Sequence, residues 1–241
     1  MKIIEVHTKS IFTRTNLPGV QWTVNPYLGC THGCKYCYVP LILQDKRKLP
    51  GEWGSFVEVK INAPMLAMAT PQGRIMFSTG CDPYQEIEKQ YALTRKILEC
   101  MCPSANVYIL TKSPLILRDI DVLSKFTNIT VGFSFFTTDE HIRRMAEPNA
   151  PPNEQRVEAL AEIKRMGFKT HIHIGPLIPS LSHIEDLIEV LLPFADSFSY
   201  EFLNPNAKGI MERIFPNIPL FPTGGERRYI HTLLRTLTKP T

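Results

Sequence analysis

Cys30, Cys34 and Cys37 stand in the run Gly29-Cys30-Thr31-His32-Gly33-Cys34-Lys35-Tyr36-Cys37-Tyr38 at CxxxCxxC spacing. Three thiolates so placed suit one small inorganic cluster. Iron–sulfur cubanes are normally closed by four thiolates, so three from one loop leave one iron open to a substrate or cofactor. The spacing differs from the ferredoxin run, which closes its clusters for electron transfer. Gly29 and Gly33 let the backbone fold around the metal, and Tyr36 sets an aromatic ring beside the last ligand. The alternative is a structural zinc site with His32 as fourth ligand, which would make the chain a non-enzymatic, metal-bearing regulatory module.

The elements that must position this loop follow it in the chain. Short β-type runs at 21–27, 74–79, 106–111, 129–135, 170–177 and 197–202 alternate with helical stretches at 63–68, 87–100, 116–125, 139–146, 153–166 and 182–192. This alternation predicts parallel strands joined by right-handed helical crossovers, an α/β chain curling into a partial barrel. Barrel enzymes place their chemistry at the C-terminal ends of the strands. Asn153 is a candidate N-cap, Gly167 a stop signal and Ser182 a start signal.

With 241 residues, one domain spanning 1–241 is expected, with 209–241 capping one end of the barrel. A composition 44% hydrophobic and 21% charged removes any motive for a disordered or coiled-coil reading. No apolar run reaches the length of a membrane span, the start Met1-Lys2-Ile3-Ile4-Glu5 lacks a signal-peptide core, and the cysteines outside the loop (Cys81, Cys100, Cys102) form no disulfide-like framework. A cytoplasmic, reducing location is expected. A net charge of +4 permits a nucleic-acid partner without requiring one.

The CxxxCxYC motif, entered from Asn25-Pro26-Tyr27, resembles the cluster motif of the radical S-adenosylmethionine superfamily. The resemblance implies a partial (β/α)6 barrel of TIM type and a 4Fe-4S cluster whose open iron is chelated by S-adenosyl-L-methionine. It also implies reductive cleavage to a 5'-deoxyadenosyl radical that abstracts hydrogen from a substrate, with electrons from a donor such as a flavodoxin or ferredoxin. Within the superfamily, the set Cys30-Cys34-Tyr36-Cys37, Cys81, Thr111-Lys112 and Phe133-Ser134 resembles the spore photoproduct lyase group, which repairs a thymine dimer in DNA.

On that resemblance Lys112 pairs with the methionyl carboxylate, Ser134 contacts the ribose, and Gly175 lies where backbone approaches the adenine. At the second strand end, Thr79-Gly80-Cys81-Asp82 occupies the place that receives the methionyl ammonium. There Asp82 would accept its hydrogen bonds and Gly80 permit close approach; the other reading of Asp82 is a helix cap ahead of Pro83. Cys81 lies near the lyases' hydrogen-donating cysteine, but its continuation Asp82-Pro83-Tyr84-Gln85 departs from them, so a small core residue is the preferred reading.

His171 and His173 share one face of the fifth strand, toward the lumen or toward a helix. Glu147 and Arg156 are read as a pair across the Pro-rich loop. Nucleic acid is the leading substrate class, with a peptide or small metabolite as the alternative.

Overall fold

The computed structural model describes residues 1–77 and 79–237. Ser78, at the end of the second expected strand, and residues 238–241 of the C-terminal segment lie outside the described residues.

Among the described residues there are ten strands: β1 (Lys2–Val6), β2 (Phe12–Arg14), β3 (Trp22–Val24), β4 (Tyr27–Leu28), β5 (Phe56–Lys60), β6 (Arg74–Phe77), β7 (Asn106–Thr111), β8 (Asn128–Phe135), β9 (Lys169–Leu177) and β10 (Ser197–Phe202). The main sheet runs β10-β9-β8-β7-β6-β3-β2, parallel throughout except for β2, which returns antiparallel on β3. Its six parallel strands are those the sequence predicts. β10 and β2 end the sheet without pairing to each other, so the barrel is open.

One face of each strand is dry. Val107, Ile109, Val131, Phe133, Ile172 and Ile174 are fully buried under the helices. The alternate positions face the lumen and are mostly polar. Register sets them in rows, with Gly132, His171 and Ser197 in one and Ser134, His173 and Ser199 in the next toward the C-terminal ends. Gly132 is small for a reason, because a Cβ there would lie 3.0 Å from the Tyr108 ring and 3.1 Å from Leu110.

The helices depart from the expected continuous stretches where the chain must turn. The stretch 87–100 divides into Glu88–Tyr91 and Leu93–Cys100, with Ala92 left-handed at φ 47°. The buried Glu88 carboxylate accepts the Thr94 N–H at 2.9 Å and so caps the second piece. The stretch 182–192 divides into Pro179–Ser182 and Ile184–Leu191 around His183, also at φ 47°. Ser182 therefore ends a helix instead of starting one, and its Oγ accepts the Ile178 N–H. Pro152, not Asn153, is the N-cap of Asn153–Arg165; Asn153 uses its side chain to donate to the Thr137 carbonyl at 2.6 Å.

A second sheet, β1-β5-β4, was not anticipated. Its middle strand packs Phe56, Val57 and Val59 into the core and backs the cysteine loop. The C-terminal helix Gly224–Leu237 buries Ile230 and Leu234 in the same apolar cluster as the main sheet.

Candidate active site

The cysteine loop lies between β4 and the helix Val39–Gln44, against the C-terminal ends of the parallel strands. Gly29 turns it at φ 95°, where a Cβ would meet the Phe56 carbonyl oxygen at 2.4 Å, so the position admits only glycine. Gln85, fully buried, accepts the Thr31 N–H at 2.8 Å and donates to the Gly29 carbonyl at 3.1 Å. Asn149 donates to the Thr31 carbonyl at 3.0 Å, and Lys35 N–H reaches the Ala146 carbonyl at 2.8 Å. These clamps arise from strand-end loops more than fifty residues away. Gln85 and Asn149 stand beside motifs prominent in the sequence, but nothing there shows their contact with the loop.

Cys30, Cys34 and Cys37 line one cavity together with Tyr36, Gly80, Cys81, Asp82, Lys112, Ser134 and Gly175, so every predicted site residue is brought to one place. Burial pushes the metal-free Cys34 and Cys37 thiols up to about 12 and about 11, and Cys30 upward as well. Against this, the Asp82 backbone N–H faces the Cys30 sulfur, and the Val39 N–H and the Trp53 side chain face Cys37. Lys112 favours the thiolate of Cys34 and Cys37. A site that buries thiols yet aims N–H donors and an ammonium at their sulfurs fits metal-bound thiolates. Among the described residues, no three His, Cys, Asp or Glu side chains converge as single-ion ligands. His32 is buried and turns Nδ1 toward Asp82 Oδ2 at 3.5 Å.

Behind the loop lies a buried ionic cluster. Glu147 accepts from Tyr36 OH and, at 2.5 Å, from Arg156, both carboxylate and guanidinium being fully buried. This is the expected pair across the Pro-rich loop. Burial pushes the Glu147 carboxyl up, but Arg156 and Lys112 overcome it and hold it at about 2. Lys112 Nζ donates to Ser134 Oγ at 2.8 Å and lies 3.6 Å from Glu147, while Arg156 donates to the Ser134 carbonyl at 3.1 Å. Lys112 and Ser134 are thus fixed to each other, and the ammonium keeps hydrogens for a ligand.

Asp82 differs from the expectation of a free acceptor. Its Oδ1 accepts from Tyr84 N–H at 2.8 Å and Thr111 Oγ1 at 2.7 Å, and its Oδ2 from Lys112 N–H at 2.7 Å. The carboxylate ties two strand ends together, closer to the capping reading than to ammonium recognition. Gly175 also has a local reason to be glycine: a Cβ there would lie 2.5 Å from His173 Nε2 and 3.0 Å from Glu201 Cγ. Cys81 belongs to the buried core and yet lines the cavity, its Sγ 3.9 Å from Asn25 Oδ1; burial pushes its thiol up to about 12. Asn25 itself spans the strand ends, donating to Thr79 Oγ1 at 2.9 Å and accepting Gly80 N–H at 2.6 Å.

Tyr38, Trp53 and Phe202 also line the cavity, with the Arg227 guanidinium 4.5 Å over the Phe202 ring. None of these was singled out as a site residue, though Arg227 lies in a basic run visible in the sequence.

An open parallel barrel with three cysteines from one loop at its strand ends defines a cluster-binding α/β barrel. The family model of the Radical SAM superfamily matches residues 24–191, and the chain belongs to that superfamily. An uncharacterised protein of Methanocaldococcus jannaschii is 35% identical over 246 residues, covering 99% of this chain and 94% of the relative. A radical SAM Nalpha-GlyT isomerase of Pseudomonas phage M6 is 25% identical over 169 residues, 67% of this chain and 34% of the relative. Among solved structures, a spore photoproduct lyase with bound AdoMet and dinucleoside spore photoproduct superposes with a TM-score of 0.72 at 15% identity, over 98% of this chain and 78% of the lyase. At that identity the likeness shows the fold. Members of the family use a 4Fe-4S cluster and S-adenosylmethionine. No helix among the described residues is long and apolar enough to cross a membrane.

Proposed function

We propose that this radical SAM enzyme acts on a base of a nucleic acid, in a lyase-like or rearranging reaction begun by hydrogen abstraction. The observation that carries the reading is the aromatic lining: Tyr38, Trp53 and Phe202, the last beneath the Arg227 guanidinium, line the cavity that holds the three cysteines. Base stacking on such rings needs no sequence-specific contact, and a guanidinium serves the adjoining phosphate. The dinucleoside bound in the spore photoproduct lyase of the same fold supports this reading.

When bound, the cofactor pair supplies a one-electron route to a hydrogen-abstracting radical. Cys30, Cys34 and Cys37 would hold the cluster. A free Lys112 ammonium hydrogen would meet the methionyl carboxylate, with Ser134 beside it at the ribose and the Gly80 backbone near the methionyl end. Tyr36, locked by Glu147, walls the cavity beside the last ligand and keeps water out. Cys81, whose Sγ lies 3.9 Å from Asn25 Oδ1, is read as a core thiol. If it instead returns hydrogen to a product radical, Cys81→Ala will release altered products; unchanged products will confirm the core role.

The test is product analysis of the anaerobically reconstituted protein with a strong reductant, on DNA carrying a thymine lesion and on an undamaged control. A changed base in either DNA supports the reading. Cleavage of S-adenosylmethionine with both DNAs intact removes it in favour of a peptide or small-metabolite substrate.

A further inference from the structure

His171 and His173 both face the lumen, in register with Ser197 and Ser199 of β10. Ser197 Oγ lies 2.8 Å from His171 Nδ1, and Ser199 Oγ 2.7 Å from His171 Nε2. The same Ser199 Oγ lies 2.9 Å from His173 Nδ1. His173 Nε2 then faces Glu201 Oε1 across 3.7 Å, and both residues line the cavity. His171 sits one row deeper, its ring edge-on to Tyr108 at 5.5 Å, with the Arg74 guanidinium over the other ring at 5.1 Å. The gap at 3.7 Å is too long for a direct hydrogen bond and leaves the Nε2 end available to a third group.

The carboxylate gives this row a direction. His173, opposed by partial burial and aided by Lys112, holds the Glu201 carboxyl below the usual range, so it is ionised and has no hydrogen to donate. The nitrogen facing it therefore bears a hydrogen, which in the neutral imidazole is the only one. Nδ1 of His173 must accept from the Ser199 hydroxyl, which in turn accepts from Nε2–H of His171. That leaves His171 Nδ1 to accept from Ser197. His171 is neutral because burial above all, with the Arg74 guanidinium beyond it, lowers it to about 4. The charged or titratable groups around the row are Arg74 from β6, Tyr108 from β7, Lys112 beyond its end and Glu201 from β10.

We propose that His171, Ser199 and His173 form a directional proton path through the lumen, with His173 Nε2–H as the end that meets the substrate. The proposal rests on reading this cavity as the substrate site. When a substrate oxygen or nitrogen takes the Nε2 proton, His173 gains the Ser199 hydroxyl proton at Nδ1 and Ser199 gains the Nε2 proton of His171. His171 gains the Ser197 proton, which water replaces. Each N–H or O–H bond broken is matched by one formed, and no electrons change centres. Ser199 and His171 are positioning residues; His173 is the group at the substrate. No feature of the cysteine loop takes part.

The tautomers can be read by NMR of the holoprotein, cluster oxidised, with ¹⁵N-labelled histidine and no substrate. Both imidazoles should be Nε2–H tautomers. Glu201→Gln, whose amide can donate, should convert a substantial share of His173 to the Nδ1–H form. Ser199→Ala should mix the tautomers and slow solvent exchange of the His171 Nε2–H severalfold, because its route to the cavity is cut; Ser199→Thr should restore both. A hydroxyl that merely packs predicts the opposite sign, since its removal loosens the lumen and exchange quickens or stays the same. That result, or an Nδ1–H tautomer at either histidine of the parent, overturns the path. Because no DNA is used, failure here leaves the nucleic-acid reading standing, and failure of the DNA assay leaves this measurement intact.

Discussion

The two walls of the cavity are built differently. On the cofactor side the cysteine loop, Tyr36, Asp82, Lys112 and Ser134 are fixed by buried charges whose hydrogen bonds are largely met within the protein. On the other side His173, Glu201, Phe202 and Asn204 come from strands at the open edge of the sheet, and Glu201 is 54% exposed at its side chain. A cofactor common to a superfamily calls for a preorganised wall, whereas a substrate must enter, and an unpaired sheet edge beside the helix Gly224–Leu237 permits that.

The largest effect should follow from cutting the cofactor wall at its ligands. Replacing Cys30, Cys34 or Cys37 with Ala should abolish the iron and sulfide that the parent retains after anaerobic reconstitution, about four of each per chain. Stoichiometric zinc with no iron in the parent would instead make the loop a structural zinc site.

Next comes the ionic cluster behind it. Arg156→Met leaves Glu147 buried without its strongest partner and should cost about 3–5 kcal/mol in thermal or denaturant unfolding. A loss under 1 kcal/mol would show that Lys112 and Tyr36 suffice and that the wall is less tightly coupled than its geometry indicates.

The lumen should show itself through pH. His171 falls from 6.5 to about 4 on folding, so the unfolded chain binds more protons between those values. Its contribution is whole above pH 6.5 and is lost as pH falls toward 4, about 3 kcal/mol at most. His171→Gln should flatten that part of the stability curve; an unchanged slope would mean the imidazole binds as many protons in the fold as in the unfolded chain.

The smallest effect belongs to the substrate wall. Phe202→Ala should weaken binding of single-stranded DNA by about 1–2 kcal/mol with little change in unfolding, and Arg227→Ala should reduce its salt dependence. If Phe202→Ala destabilises the fold as much as Arg156→Met does, the two walls do not differ in the way described.

Some of this was visible in the chain itself. The cysteine spacing and the six parallel strands follow from local pattern, because strand period and ligand spacing are properties of neighbours in sequence, whereas Lys112, Ser134 and Gly175 were legible only through the family resemblance. The sheet β1-β5-β4 escaped although Phe56-Val57-Glu58-Val59-Lys60 carries strand-forming residues. Its burial on both faces, with Glu58 neutralised by Arg47 at 2.5 Å, hides the usual alternation.

The sequence by itself determined which metal chemistry the chain can support and on what scaffold, since thiolate spacing and βα alternation are encoded within a few residues. Tertiary structure alone decided that Asp82 spends its oxygens on Thr111, Lys112 and Tyr84, that Gly175 makes room for His173, and that Ser199 bridges two histidines. A carboxylate or a hydroxyl carries the same letter whether its lone pairs are free or taken. Only strand register, fixed by hydrogen bonds between distant segments, sets which partners reach it.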